Sequence, residues 1–257
     1  MRGSRRRQAN HRISIPHRVV SPYRRQAGRA TLEGLMDRHV FHDRRSAGAL
    51  LGVEVSKAIV GSPVVLGLPR GGVPVAAGVA EAIDAPLDVI VVRKLGVPHQ
   101  PELAMGAIGE NGVVIVNRDV VRASHTSEQE LAAIEARERA ELDRRVGYVR
   151  SVRPHESLAD RPAIIVDDGI ATGATIRAAI QVARAYGAND VTVATPVAPL
   201  GVVEMLGSEA DRVVCLAQPD PFGSVGRWYR DFEAVTDAEV LQFMSAARGR
   251  STDRDAP

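Results

Sequence analysis

Two neighbouring carboxylates, Asp167 and Asp168, stand directly ahead of a small, hydroxyl-bearing turn, Gly169-Ile170-Ala171-Thr172-Gly173-Ala174-Thr175. The apolar run Ala163 to Val166 comes before them and has the character of a strand buried on both faces. A helical pattern follows, with Ile176, Ile180 and Ala183 at helical spacing and Gly187 as a stop. This order places unpaired backbone N–H groups at Thr172 to Thr175, where the helix opens. Those donors and the helix dipole attract an anion. Gly173 lets the backbone approach a ligand, and the hydroxyls of Thr172 and Thr175 add donors. The carboxylates repel a bare phosphate but suit vicinal hydroxyls or a nearby metal ion. A ligand with a phosphate at one end and a diol beside it, a ribose 5-phosphate, meets both demands. From the loop alone, the alternative is an ordinary strand-to-helix turn with an acidic N-cap.

Two further stretches repeat the design. Val64 to Leu68 reads as a buried strand and ends in Pro69-Arg70-Gly71-Gly72, after which a helical pattern resumes. Two glycines beside an arginine make a second anion-binding turn, with backbone donors and a guanidinium fork; the alternative is a plain βα loop with an exposed arginine. Leu87 to Val92 reads as a third strand with Arg93 and Lys94 at its end. Ligands of open parallel sheets bind beyond the carboxyl ends of the strands, so this pair is placed for function rather than as solvated charge. Residues 97–112 hold two prolines and three glycines and are expected to form a long irregular loop, the usual material of a lid. His99, Gln100 and Glu102 are its polar residues within reach of the site.

The segment Ala163–Thr175 resembles the signature of the type I phosphoribosyltransferases, which bind phosphoribosyl pyrophosphate (PRPP). The resemblance extends over residues 39–235 and is nearest to a bacterial group of that family. It implies that Asp167 and Asp168 hold the ribose hydroxyls, with a metal reached directly or indirectly. It implies that Gly169 and Ala171 to Thr175 hold the 5-phosphate. Gly71 and Gly72 match the family's pyrophosphate loop, which often contains a non-proline cis peptide, with Arg70 as side-chain partner. Arg93 and Lys94 are assigned to the leaving pyrophosphate, and the loop at 97–112 to a cover that excludes water. The implied reaction moves ribose 5-phosphate from PRPP to a nitrogen nucleophile, with Mg2+ as template and Lewis acid. In the 6-oxopurine enzymes of the family a third aspartate follows the acid pair and serves the base. Here that place is Ala171, whose methyl group is no acid or base. The pattern then resembles the adenine-specific type, and Glu102 is the candidate proton acceptor. The implied fold is α/β, a parallel sheet of about five strands with helices on both faces, a flexible lid loop and a small C-terminal hood.

Other elements must carry these residues. Phe41, Ala47, Leu50, Leu51, Val55 and Ile59 trace a helical stripe in residues 39–60, and His39 and His42 at its entry read as surface residues. Residues 127–146 read as a charged helix opened by a Ser127–Glu130 capping box, suited to packing or a homodimer contact. Strands are expected at Val191–Val197 and Arg212–Ala217, and a last helix at Asp237–Ala247 behind a Thr236–Glu239 capping box. Between them Phe222, Trp228, Tyr229 and Phe232 gather in a chain with only 4% aromatic residues. They suggest a stacking surface for a planar base, with Phe222 as candidate by resemblance, or a hydrophobic cluster anchoring the C-terminal segment.

The first 35 residues hold nine arginines and one acid, a net charge of +8 in a chain of +2, so the remainder carries about −6. Arginine outnumbers lysine 31 to 2 over the whole chain, which lowers the weight of any one arginine cluster. Residues 1–37 therefore read as a basic disordered tail, with Met36 as a possible internal start, 38–248 as one domain and 249–257 as a second disordered end. A single cysteine, Cys215, excludes an intramolecular disulfide and fits a reducing, cytoplasmic setting. No apolar run is long enough for a membrane span. A PRPP-binding regulator without turnover is the main alternative function. A dinucleotide oxidoreductase is disfavoured because no G-x-G-x-x-G follows the first strand.

Overall fold

Apolar runs without a polar side must be covered on both faces. In the computed structural model, which describes residues 19–20 and 41–251, they form one all-parallel sheet. In spatial order its strands are β1 (Val19–Val20), β9 (Arg212–Ala217), β8 (Asp190–Val197), β7 (Pro162–Val166), β2 (Val64–Gly67) and β3 (Leu87–Val89). Alternate residues of the four central strands enter two separate cores. Val65, Ile164, Ala194 and Val214 face one, with α1 (Arg44–Ser56) and α2 (Gly72–Ile83). Val64, Ile165, Val193 and Val213 face the other, with α5 (Ala174–Ala185) and α6 (Leu200–Gly207). The five expected parallel strands are present. The sixth, β1, comes from the basic tail and pairs with Val213 and Val214, so at these two residues the tail is ordered against the sheet edge. The rest of residues 1–40, including His39, and residues 252–257 lie outside the described residues.

Two expectations need correction. The third strand leaves the sheet after Val89, and Arg93 and Lys94 sit on a separate strand, β4 (Val92–Val97). The expected irregular lid at 97–112 is mostly β5 (Gln100–Gly109), antiparallel to β4 and followed by β6 (Val114–Val116). The glycines here permit close contact rather than break the ladder. A Cβ at Gly106 would lie 2.1 Å from the Ile115 carbonyl oxygen of β6. The ladder is irregular on both sides of Gly96, which pairs with Ala104 and where a Cβ would lie 2.7 Å from the Pro101 carbonyl oxygen.

A short helix, α3 (Arg118–Ala123), leads to α4 (Glu128–Arg150), which begins at the expected Ser127–Glu130 capping box and runs a turn past the expected end. Arg150 at that end joins the two sheets. Its Nη1 donates to Asp88 Oδ1 of β3 at 2.7 Å, and its Nε and Nη2 donate to the Glu110 carboxylate after β5 at 2.8 and 2.7 Å. Burial works against the Arg150 charge, but Glu110 and Asp88 more than offset it and raise its pKa. The chain closes with a 3-10 turn (Val225–Trp228) and α7 (Asp237–Ser251), whose Thr236–Glu239 capping box is formed.

Candidate functional site

The acid pair follows β7 directly, and the turn after it closes at Gly173, whose φ of +79° suits glycine. No side chain caps α5 at that residue, so the opening N–H groups of the helix remain available to a ligand. Ala171, Thr172 and Thr175 are exposed there, while Gly173 and Ala174 are buried beneath them.

The second turn, on neighbouring β2, lies against the first. A Cβ on Gly71 would stand 2.0 Å from Asp168 Oδ2, and one on Gly72 would stand 2.6 Å from the Val166 carbonyl oxygen. The peptide bond between Pro69 and Arg70 is cis, as the resemblance implies. The Arg70 side chain is half exposed, with Nη1 3.9 Å from Asp237 Oδ1.

Asp168 has a partner that its own neighbourhood in sequence does not show. Arg44 Nε of α1 donates to Asp168 Oδ2 at 2.7 Å, with both side chains largely buried. The guanidinium lies 3.8 Å from the centre of the Phe232 ring, and its Nη1 donates to the Glu233 carbonyl at 2.7 Å. Tyr229 Oη donates to the backbone carbonyl of Asp168 at 2.5 Å. Phe41 packs on Tyr229, and backbone bonds from residues 41–42 to 228–231 close this clamp. Tyr229 and Phe232 thus brace the acid pair from behind, which favours the anchoring reading of the aromatic segment. Phe222 is half buried against the core, and its carbonyl accepts from Trp228 Nε1. Burial, and after it the adjacent Asp168 carboxylate, push the Asp167 carboxyl well above the usual range. Burial also raises Asp168, opposed by the Arg44 guanidinium.

The hairpin brings the remaining candidates to the same edge with different partners. Lys94 Nζ donates to Glu102 Oε1 at 2.9 Å, and Thr172 Oγ1 lies 3.5 Å from Glu102 Oε2. The Lys94 bond holds the Glu102 carboxyl below the ordinary carboxylate range, which weakens it as a proton acceptor. Arg93 turns away to Glu138 of α4, with Nε and Nη2 at 2.9 and 2.6 Å from Oε2. His99 and Gln100 are exposed at the hairpin tip. Among the described residues no group of three or more His, Cys, Asp or Glu side chains could hold a metal ion.

An uncapped helix opening after one strand, packed against a glycine turn on the adjacent strand at the carboxyl edge of a parallel sheet, is an α/β arrangement suited to an anionic ligand. The comparisons are specific. Residues 54–216 match the model of the phosphoribosyl transferase domain. Proteins of two Mycobacterium tuberculosis strains, provisionally named phosphoribosyl transferases, are 51% identical over 208 residues, which is 81% of this chain and 47% of theirs. The chain thus spans about half the length of these curated relatives. The crystal structure of protein TT1426 from Thermus thermophilus aligns with a TM-score of 0.76 at 43% identity, covering 80% of this chain and 98% of that one. The chain belongs to the phosphoribosyl transferase domain family.

Sequence reasoning missed Arg44, and it named Tyr229 only as part of the aromatic cluster, not as a partner of Asp168. With 31 arginines in the chain, Arg44 carries no compositional signal, and it lies 124 positions from Asp168. Among the described residues no helix is long and apolar enough to cross a membrane.

Proposed function

We propose that the chain transfers ribose 5-phosphate from PRPP to a nitrogen nucleophile and releases pyrophosphate. The observation that carries this reading is the contact of the two turns: the acid pair of β7 abuts Gly71 too closely for a side chain. One turn then suits the 5-phosphate, through the backbone of Ala171 to Thr175, and the other suits pyrophosphate, at Arg70, Gly71 and Gly72. Asp167 and Asp168 hold the ribose hydroxyls between them, and Arg44 keeps Asp168 aimed. Lys94 on the hairpin neutralises charge that grows on the leaving group, where fixed positive groups lower the barrier most. Two carboxylates, with no third His, Cys, Asp or Glu grouped beside them among the described residues, fit Mg2+ held mainly by the donor's own oxygens. When bound, the ion supplies charge neutralisation and a template, and Asp167 and Asp168 are the side chains that would hold it.

The experiment is calorimetric titration of PRPP with and without Mg2+. Binding is expected only with the metal, and the double variant Asp167→Asn/Asp168→Asn abolishes it. A double variant that binds PRPP like the parent would show the ribose site to be wrongly assigned.

A further inference from the structure

The two turns account for a donor but leave a cavity of about 630 Å3 beside them unused. It lies between α4, the β4–β5 hairpin and the turn after β2. Pro69 and Thr175, one from each donor turn, reach its lining. Ile90, Val91, Val92, Val97 and Ile134 give it apolar walls. Arg93, Lys94, Arg137 and Arg145 give it a cationic rim.

The rim is short of negative charge. Arg93 and Arg137 share one carboxylate, Glu138: the first donates to Oε2 at 2.9 and 2.6 Å, the second to Oε1 at 3.1 and 3.0 Å. Arg145 shares Glu141 with Arg144. Lys94 is matched by Glu102, and Glu130 is engaged in the N-cap of α4. Within the lining itself, Arg93, Lys94, Arg137 and Arg145 stand against Glu130 and Glu138, an excess of positive charge.

Pyrophosphate would satisfy such a rim but not the walls. An inorganic polyanion gains nothing from apolar side chains and loses hydration against them. A flat organic ring gains from the walls, and a cavity of this size is in the usual range for a small organic ligand. An anionic substituent on that ring answers the guanidinium pair.

Resting on the phosphoribosyl-transfer reading, we propose that this cavity is the acceptor site and that the acceptor is an aromatic heterocycle bearing a carboxylate, read by Arg93 and Arg137. Glu138 holds both guanidiniums in register while the site is empty and competes with the incoming carboxylate. In the transfer, a ring nitrogen forms its bond to ribose C1 as the C1–O bond to pyrophosphate breaks. Pyrophosphate leaves with the electron pair, and any proton on the attacking nitrogen passes to solvent.

The test uses the full chain and matched ring pairs, orotate with uracil and nicotinate with nicotinamide, titrated calorimetrically with and without Mg-PRPP. One carboxylate-bearing ring is expected to bind at least about tenfold tighter than its neutral counterpart, the scale of a hydrogen bond to a charged group. Arg137→Gln should weaken that ring about tenfold, whereas Glu138→Gln should tighten it by removing the competitor. A purely structural role for these residues cannot give opposite signs. Equal binding of the neutral partners, or no ring bound at all, overturns the proposal. So does a change confined to Mg-PRPP affinity in the two variants, which assigns the cavity to pyrophosphate. Mg-PRPP binding by the parent is measured separately, so failure of the donor reading is seen there and not in the ring titrations.

Discussion

Replacing Gly71 with alanine probes the contact on which the proposed donor site depends. The backbone at Gly71 is helical, with φ −60° and ψ −33°, so alanine meets no conformational penalty. The obstacle is steric: the new Cβ would lie 2.0 Å from Asp168 Oδ2 and 2.7 Å from Asp168 Cγ. Ordinary contact begins near 3.4 Å, so the carboxylate must retreat by more than an ångström. Its bond to Arg44 Nε, 2.7 Å long, then breaks. Loss of a hydrogen bond between charged, largely buried groups costs about 1.5–3 kcal/mol. For a domain of this size that is a fall in Tm of roughly 4–10 °C. Mg-PRPP affinity should fall by about 10- to 100-fold, since about 1.4 kcal/mol corresponds to a factor of ten. Thermal unfolding and calorimetry supply both readings. The decisive comparison is in an Asp168→Ala background, where the collision partner is absent. There Gly71→Ala should cost less than about 0.5 kcal/mol, the limit expected of independent sites. Equal costs in the two backgrounds would mean that Gly71 is needed for some reason other than Asp168, and the reasoning would fail.

Three further outcomes are expected. Asp167→Asn should raise the Tm of the ligand-free protein at pH 8 although it damages PRPP binding, because burial and Asp168 raise the Asp167 pKa in the folded state. A raised folded pKa means that ionisation destabilises the native state, so the gain should shrink as pH falls through the folded pKa and vanish near the unfolded one; a gain independent of pH would contradict the cause. Arg150→Met strands the buried carboxylates of Asp88 and Glu110, so it should cost about 3–5 kcal/mol, and adding Asp88→Asn and Glu110→Gln should recover most of it in a denaturant titration. Because Ala171 offers no proton donor or acceptor, pyrophosphate release with hypoxanthine or guanine at saturating Mg-PRPP should be poor; brisk turnover of either by the unmodified protein would refute the argument from that residue.

The sequence by itself determined the parallel sheet and the two glycine-bearing turns at its edge. Val64 to Leu68 and Ala163 to Val166 are apolar at every position, which only a strand covered on both faces tolerates, and a glycine-bearing turn and a helix follow each. The capping boxes at Ser127–Glu130 and Thr236–Glu239 marked helix starts because a cap is a local bond over three residues. Tertiary structure alone decided the rest. Glycines and prolines at 97–112 looked like breakers, yet Gly106 is what lets β6 pair closely with β5, a fact about a neighbour no local pattern contains. In a chain with 31 arginines, which of them would matter was also invisible. Packing selected Arg44 for Asp168, Arg150 for Asp88 and Glu110, and Arg93 for Glu138. Such pairs follow from where whole elements come to rest, since the cost of an unpartnered buried charge acts across space rather than along the chain.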